Sequence, residues 1–170
     1  MLRSAVVNLF DPTSDVMTRF SPQAQRLSAW AGAAVAALSL AGAVTAQATL
    51  PQQTLRAGMH LIRAEVASTP KTRETGLMFR ERLGPNQGML FIFDRPGIQC
   101  MWMRNTLIPL SVAFIADDGV IANIEDMEPK TETSHCAVQP VRYALEMEQG
   151  WFAKRGLKAG TRIDGIPGAR

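Results

Sequence analysis

The sequence predicts a mainly β protein, a compact antiparallel β-sandwich or partly closed barrel of about seven strands with one helix and a short helical turn. Three observations carry this. Apolar and polar residues alternate with period two in several short segments, as in Ile62, Ala64 and Val66 against Arg63 and Glu65. Gly, Pro, Asn and Asp clusters punctuate the chain at short, regular intervals. Only one segment opens with a convincing helix start, at Thr69-Pro70.

A leader precedes this domain. Leu27 to Val44 is an uncharged run rich in Ala, Leu, Val, Gly and Ser; Arg19 and Arg26 come before it, and Ala46-Gln47-Ala48 follows as small-x-small. That order is a secretory signal peptide over residues 1–48, with cleavage after Ala48 or after Ala46. A membrane anchor is the competing reading, but a retained anchor is richer in Leu, Ile and Phe. Met17 begins a better proportioned signal peptide than Met1, so it is the expected true start. The protein is thus expected to be periplasmic or secreted, touching a membrane only through the uncleaved leader.

Residues 49–58 read as a flexible lead-in, and 59–170 as one β-rich domain, long enough to bury a single core. Met59 to Ala67 is the first strand. Thr69 caps a helix that the pattern carries from Pro70 toward Arg82, with Leu77, Met78 and Leu83 as apolar contacts and Gly84 as terminator. Gly76 within it either marks close packing of another backbone or ends a shorter helix. Met89 to Phe93 is a strand, Asp94 to Gly97 a turn, and Ile98 to Met103 a further strand. After a polar break, Leu110 to Ala116 and Val120 to Met127 form a hairpin around Asp117-Asp118-Gly119. A mixed polar loop, Glu128 to Pro140, leads to a strand at Arg142 to Met147. Trp151 to Arg155 is one helical turn, and Thr161 to Ile166 a last short strand.

Charge excludes one class of partner. Without the leader, Lys plus Arg fall from 18 to 15 through loss of Arg3, Arg19 and Arg26. Asp plus Glu fall from 15 to 13 through loss of Asp11 and Asp15, leaving +2 with the signs interspersed. No nucleic-acid footprint is present. Cys100 and Cys136 both survive cleavage. Two cysteines allow one intramolecular pairing, and an oxidising compartment favours that disulfide over two buried thiols.

The stretch Cys100-Met-Trp-Met-Arg-Asn-Thr-Leu-Ile-Pro-Leu110 stands out, because Arg104, Asn105 and Thr106 interrupt two apolar segments. Polar groups there must find partners or cost stability, so the loop is an internal staple or a binding site. As a staple, Asn105 and Thr106 bond to backbone while Arg104 pairs with a carboxylate such as Glu146. As a pocket rim, Trp102 offers a stacking face while Arg104 and Asn105 bind the oxygens of a carboxylate, phosphate or sugar.

Three blocks give the chain its resemblance to a known family. They are Arg73-Glu-Thr-Gly-Leu-Met-Phe-Arg80 with Gly88-Met-Leu-Phe-Ile-Phe93; Trp102-Met-Arg-Asn-Thr-Leu-Ile-Pro-Leu110 running to Phe114-Ile115; and Tyr143-Ala-Leu-Glu146 with Gly150 and Gly156-Leu-Lys-Ala-Gly160. Together they resemble the family called domain of unknown function 192, in that family's order and across almost the whole mature chain. The resemblance implies a compact, mainly β, often exported domain with no settled reaction. This chain departs from the family pattern at Arg104, where Lys is common, and at Ser111, where Asp is common.

The leading functional expectation is a small periplasmic module that binds a small polar ligand or an envelope component at Trp102, Arg104, Asn105 and Thr106, with His135 on the adjoining loop. The alternative is a cofactor-free hydrolase or transferase on an envelope polymer, with Glu146, Glu128 or Asp126 as acids and Arg104 as electrophile. A soft-metal carrier would gather Met78, Met89, Met101 and Met103 with His135 and Cys136. Met is more often a core filler, and the two histidines, His60 and His135, have no companion at ligand spacing, so no metal or other cofactor is assigned. Mass spectrometry of the native protein should find an N-terminus at Thr49, or at Gln47 if Ala46 is the cleavage residue. Intact protein held in the membrane would contradict cleavage.

Overall fold

The computed structural model describes residues 49–169; the predicted signal segment and Met17 lie outside the described residues. The fold is mainly β, as its pattern predicts. Strands β1 (Gln52–Ala57), β2 (His60–Ala67), β3 (Gln87–Gly97), β5 (Leu110–Ile115), β6 (Ile121–Met127), β8 (Val141–Glu148) and β9 (Ile163–Asp164) form one sheet in the order β6-β5-β8-β3-β2-β1-β9. Strands β4 (Cys100–Met101) and β7 (His135–Cys136) form a separate pair. The large sheet curls until its ends meet. Gly160 N–H donates to the Ile121 carbonyl, Ile163 N–H to Gly119, and Val120 bridges Arg162. Of the two architectures expected, this is the partly closed barrel. One pairing departs from the antiparallel rule, since β2 and β3 run parallel.

The central strands are buried on both faces. Alternate residues Leu90, Ala113, Ile115, Leu145 and Met147 face the inside of the curl, where Tyr143, Trp151 and Phe152 fill the space. Their neighbours Met89, Phe91, Val112, Phe114 and Ala144 face outward into a second apolar cluster with Leu77, Met101, Met103 and Ala137. This accounts for the unbroken apolar reading of β5, all six residues of which are buried. The outer face is covered by the residues between β2 and β3, by β4 and β7, and by the polar loop.

Three expectations are corrected here. Residues 49–58 are not a flexible lead-in throughout, because Gln52–Ala57 is β1, paired in register with β2 and buried at Leu55 and Ala57. Its apolar positions close the inner core, and that packing outweighs its polar composition. The helix is shorter than predicted. α1 (Pro70–Thr75) is capped by Thr69, whose hydroxyl accepts from Thr72 N–H at 3.2 Å, but it stops at Gly76. Gly76 adopts φ +48 and ends the shorter helix; a Cβ there would lie 3.3 Å from the Phe91 ring, so what packs closely on it is a side chain and not another backbone. Beyond it the ladder is replaced by tighter turns, Met78 N–H to Thr75 and Arg80 N–H to Leu77, which drop Leu77 into the outer cluster. Finally, the Asp94–Gly97 turn is absorbed into β3 as a register irregularity between Ile92 and Gly97, and the strand predicted at Ile98–Met103 is only Cys100–Met101.

Cys100 and Cys136 are register partners across β4 and β7 and are joined by a disulfide, with their Cα atoms 4.1 Å apart. Closing 36 residues is worth about 4 kcal/mol in the chain-entropy account. Thiol titration of the unfolded, unreduced protein should therefore find no free thiol, and the Cys100→Ser/Cys136→Ser variant should lose roughly 4 kcal/mol of stability. Two reactive thiols per chain would contradict the pairing.

Candidate functional site

The polar loop is held by backbone, not by its side chains. Met103 N–H donates to Thr131, Thr106 N–H to Met103, and Lys130 N–H to the Thr106 carbonyl. Asn105 lies in the left-handed region at φ 57, which Asn tolerates, and its carbonyl accepts from Phe79 N–H at 2.9 Å. Phe79 is itself left-handed at φ 63, an uncommon and strained state for an aromatic residue. With the backbone satisfied this way, the loop's side chains are released toward a groove.

Trp102 is 42% exposed, and the Arg104 guanidinium lies 5.6 Å from its ring centroid. Arg104 also approaches Glu132 at 3.9 Å, an exposed pair that contributes little to stability. The expected pairing of Arg104 with Glu146 does not occur, because Trp102 and Glu132 hold the guanidinium toward solvent. The Asn105 amide reaches no nearer partner than the Met78 sulfur at 4.0 Å. Thr106 is buried.

Beneath them lies Glu146. It projects from β8 between register partners Met89 on β3 and Val112 on β5, on the outer apolar face, and is 3% exposed. Alternation along β8 places it on the same face as Ala144, and the strands pack closely there: a Cβ added at Gly88 would clash with the Glu146 backbone carbonyl. The carboxyl makes no hydrogen bond or ion pair among the described residues. Burial pushes it from 4.5 up to about 8, with no opposing charge to offset that cost. No fully buried side-chain oxygen among the described residues lacks a partner, so the unpaired carboxyl must open onto a cavity. That cavity, about 20 Å³, is lined by Glu146 and Thr106 with Trp102, Arg104, Arg73 and Glu74. It adjoins a groove of about 320 Å³ that shares Glu74, Trp102 and Arg104 and adds Lys71, Phe79 and Asn105.

The structure thus brings together Trp102, Arg104, Asn105, Thr106 and Glu146, but not the other expected residues. His135 pairs with Met101 across the small sheet and lines neither space. Glu128 accepts from the Gln149 amide at 3.2 Å, and Asp126 accepts the Ser111 hydroxyl, both away from the cavity. Ser111 also accepts from Gly150 N–H, so where the family pattern has a carboxylate this chain keeps a hydroxyl with a cross-strand carboxylate on it. A larger recess of about 470 Å³ next to Ser111 contains no comparable unpaired buried group. Cys136 is oxidised and unavailable as a thiolate ligand, and no cluster of three His, Cys, Asp or Glu occurs among the described residues. Lys71, Glu74 and Phe79 are not among the residues the sequence singles out: Lys71 and Glu74 read as the solvated face of a helix, and only the possible helix end at Gly76 signals that Phe79 turns toward the groove.

The family model described as Uncharacterized ACR, DUF192, matches residues 53–165. Two solved structures are similar. A protein from Sinorhizobium meliloti 1021, described as a "putative transcription regulator", is 35% identical with a TM-score of 0.68, over 71% of this chain and 98% of its own. A protein of unknown function from Novosphingobium aromaticivorans DSM 12444 is 36% identical with a TM-score of 0.62, over 66% of this chain and 83% of its own. No curated protein matches the chain.

The buried acid sets a pH dependence. Between 4.5 and about 8 the unfolded chain ionises Glu146 while the folded protein keeps the proton, so stability falls as pH rises through that window and levels off above it. Thermal unfolding should show a decline between pH 5 and pH 8.5, on the order of a few kcal/mol, that Glu146→Gln abolishes. An identical decline in that variant would assign the effect to other groups.

Proposed function

The chain belongs to the DUF192 family of uncharacterised proteins, and from that premise we propose that it is an exported ligand-binding module whose site is the groove between Trp102, Asn105 and Phe79. One observation carries this reading. A buried carboxyl without a protein partner opens toward a groove walled by an exposed tryptophan and an exposed phenylalanine. A structural role would pair that acid or replace it with an apolar residue. A ligand supplies the missing partner. All three blocks of the family resemblance meet at this place, through Arg73, Glu74 and Leu77, through Trp102, Arg104 and Thr106, and through Glu146. Export is supported by the leader pattern at 27–48, and a disulfide suits an oxidising compartment.

A second reading rests on the raised acid itself. A carboxyl held near 8 in a slot that Glu74 also lines, with Glu74 solvent-exposed and close to Lys71, has the form of a general acid with a second carboxyl nearby. The narrowness of the cavity, which admits one water-sized group, makes binding the better account. The Sinorhizobium protein is described as a "putative transcription regulator", but the net +2 of residues 49–170, with its signs interspersed, argues against nucleic-acid binding by this chain.

Calorimetric titration with N-acetylglucosamine oligomers, inorganic phosphate and acetate should find one class that binds. Trp102→Ala should weaken that class by at least about tenfold, as expected for a central aromatic anchor. Unchanged affinity in the variant would move the site elsewhere. Turnover of a bound polymer that Glu146→Gln abolishes while binding remains would establish the catalytic reading instead.

A further inference from the structure

We infer that the ligand of this groove is a polyhydroxylated ring, a neutral glycan unit, which lays one apolar face on Trp102 and inserts a single hydroxyl into the slot where the Glu146 carboxyl receives it. This deepens the binding reading and rests on it.

Size comes first. The slot of about 20 Å³ holds one water-sized group. A hydroxyl fits; a carboxylate or a phosphoryl group does not. Chemistry narrows the choice further. A carboxyl packed between Met89 and Val112 is held neutral by burial, so it presents one O–H donor together with acceptor oxygens. A hydroxyl both donates and accepts through one heavy atom and matches that set. An ammonium group would also fit by size, but it would have to enter past Arg73 and Arg104, with Lys71 on the groove outside. The cations in turn make a poor anion site. Arg73 already donates to the Ser68 carbonyl at 2.7 Å and the Ile92 carbonyl at 2.8 Å and pairs with Asp94, while Arg104 lies over Trp102.

The groove outside has the two-sided character of a sugar site. Its volume of about 320 Å³ falls at the small end of ligand pockets. Trp102, Phe79 and Met78 supply apolar surface, and Thr75, Asn105 and Glu74 supply short hydrogen-bonding groups beside it. A pyranose has the complementary surface, with C–H groups on its faces and hydroxyls around its edge.

The charged residues that line the slot with Glu146 are Arg73 and Glu74 from α1 and Arg104 from the polar loop; its register partners on the neighbouring strands, Met89 and Val112, carry no charge. The inserted hydroxyl accepts the O–H of a carboxyl that is neutral at pH 6.5; that donor is lost at pH 9.5, where the seated ring would also seal an ionised carboxylate away from water. Affinity should therefore fall by at least about tenfold across that range.

The test is calorimetric titration of the protein at both pH values with chitobiose, maltose, inorganic phosphate and ethanolamine. The expected result is a disaccharide that binds at pH 6.5 and at least about tenfold more weakly at pH 9.5. Glu146→Gln should bind it equally at both pH values, and Glu146→Leu should fold, with a higher Tm, and lose it. Saccharide binding that is independent of pH in the unaltered protein, or retained in Glu146→Leu, overturns the role of Glu146 while leaving the groove as the site. Phosphate or ethanolamine binding that depends on Trp102, with no saccharide binding, overturns the ligand class alone. Failure of all four probes overturns the inference.

Discussion

Burial of the central strands on both faces is the constraint on which the rest of this structure depends. A curled sheet normally needs one covered face, the inside of the curl, and here Tyr143, Trp151 and Phe152 fill it. Strands β3, β5 and β8 carry a second apolar face, and leaving it in water would forgo roughly 1.5–3 kcal/mol for each large side chain. The cover is assembled from short pieces: the turns after Gly76, which insert Leu77, and the β4–β7 pair with the loop between, which inserts Met101, Met103 and Ala137. Such pieces have little stability of their own. The Cys100–Cys136 bond and the backbone links from Phe79 to Asn105 and from Lys130 to Thr106 hold them together.

The site follows from this cover. Glu146 occupies the outer face of the middle strand, where every other requirement of the fold calls for an apolar residue. The cover closes over it incompletely and leaves a slot. Around the slot, two non-glycine residues, Phe79 and Asn105, are held in left-handed conformations by the same hydrogen bond that joins the helix segment to the polar loop. Strain of this kind persists only where surrounding structure enforces it, and here it sets the lip on which Phe79 and Trp102 are exposed.

Much of the fold was legible in the sequence because the inner face obeys simple alternation. The hairpin around Asp117-Asp118-Gly119 was found by its turn residues, and Thr69-Pro70 by capping chemistry. The reading failed where tertiary packing overrides local pattern. Gln52–Ala57 looked like a polar tail because only Leu55 and Ala57 are buried, and the helix looked long because Leu77, Met78 and Leu83 mimic a helical stripe while serving successive turns. The site was half legible. Arg104 to Thr106 stand out in the sequence as polar residues between apolar runs, and Glu146 is one of three candidate acids. Nothing local showed that Glu146 would lie unpaired beneath them, that Arg104 would turn to Glu132, or that His135 would stay on the small sheet away from the cavity.

Everything proposed about this groove depends on a neutral carboxyl beneath it. Carbon-13 NMR of the glutamate side-chain carboxyls, with Glu146 assigned through the Glu146→Gln variant, follows that group directly as pH changes. The account predicts a single Glu146 resonance titrating near 8. A Glu146 resonance titrating near 4.5 would mean the carboxyl is solvated or paired in solution, and the site described here would lose its basis.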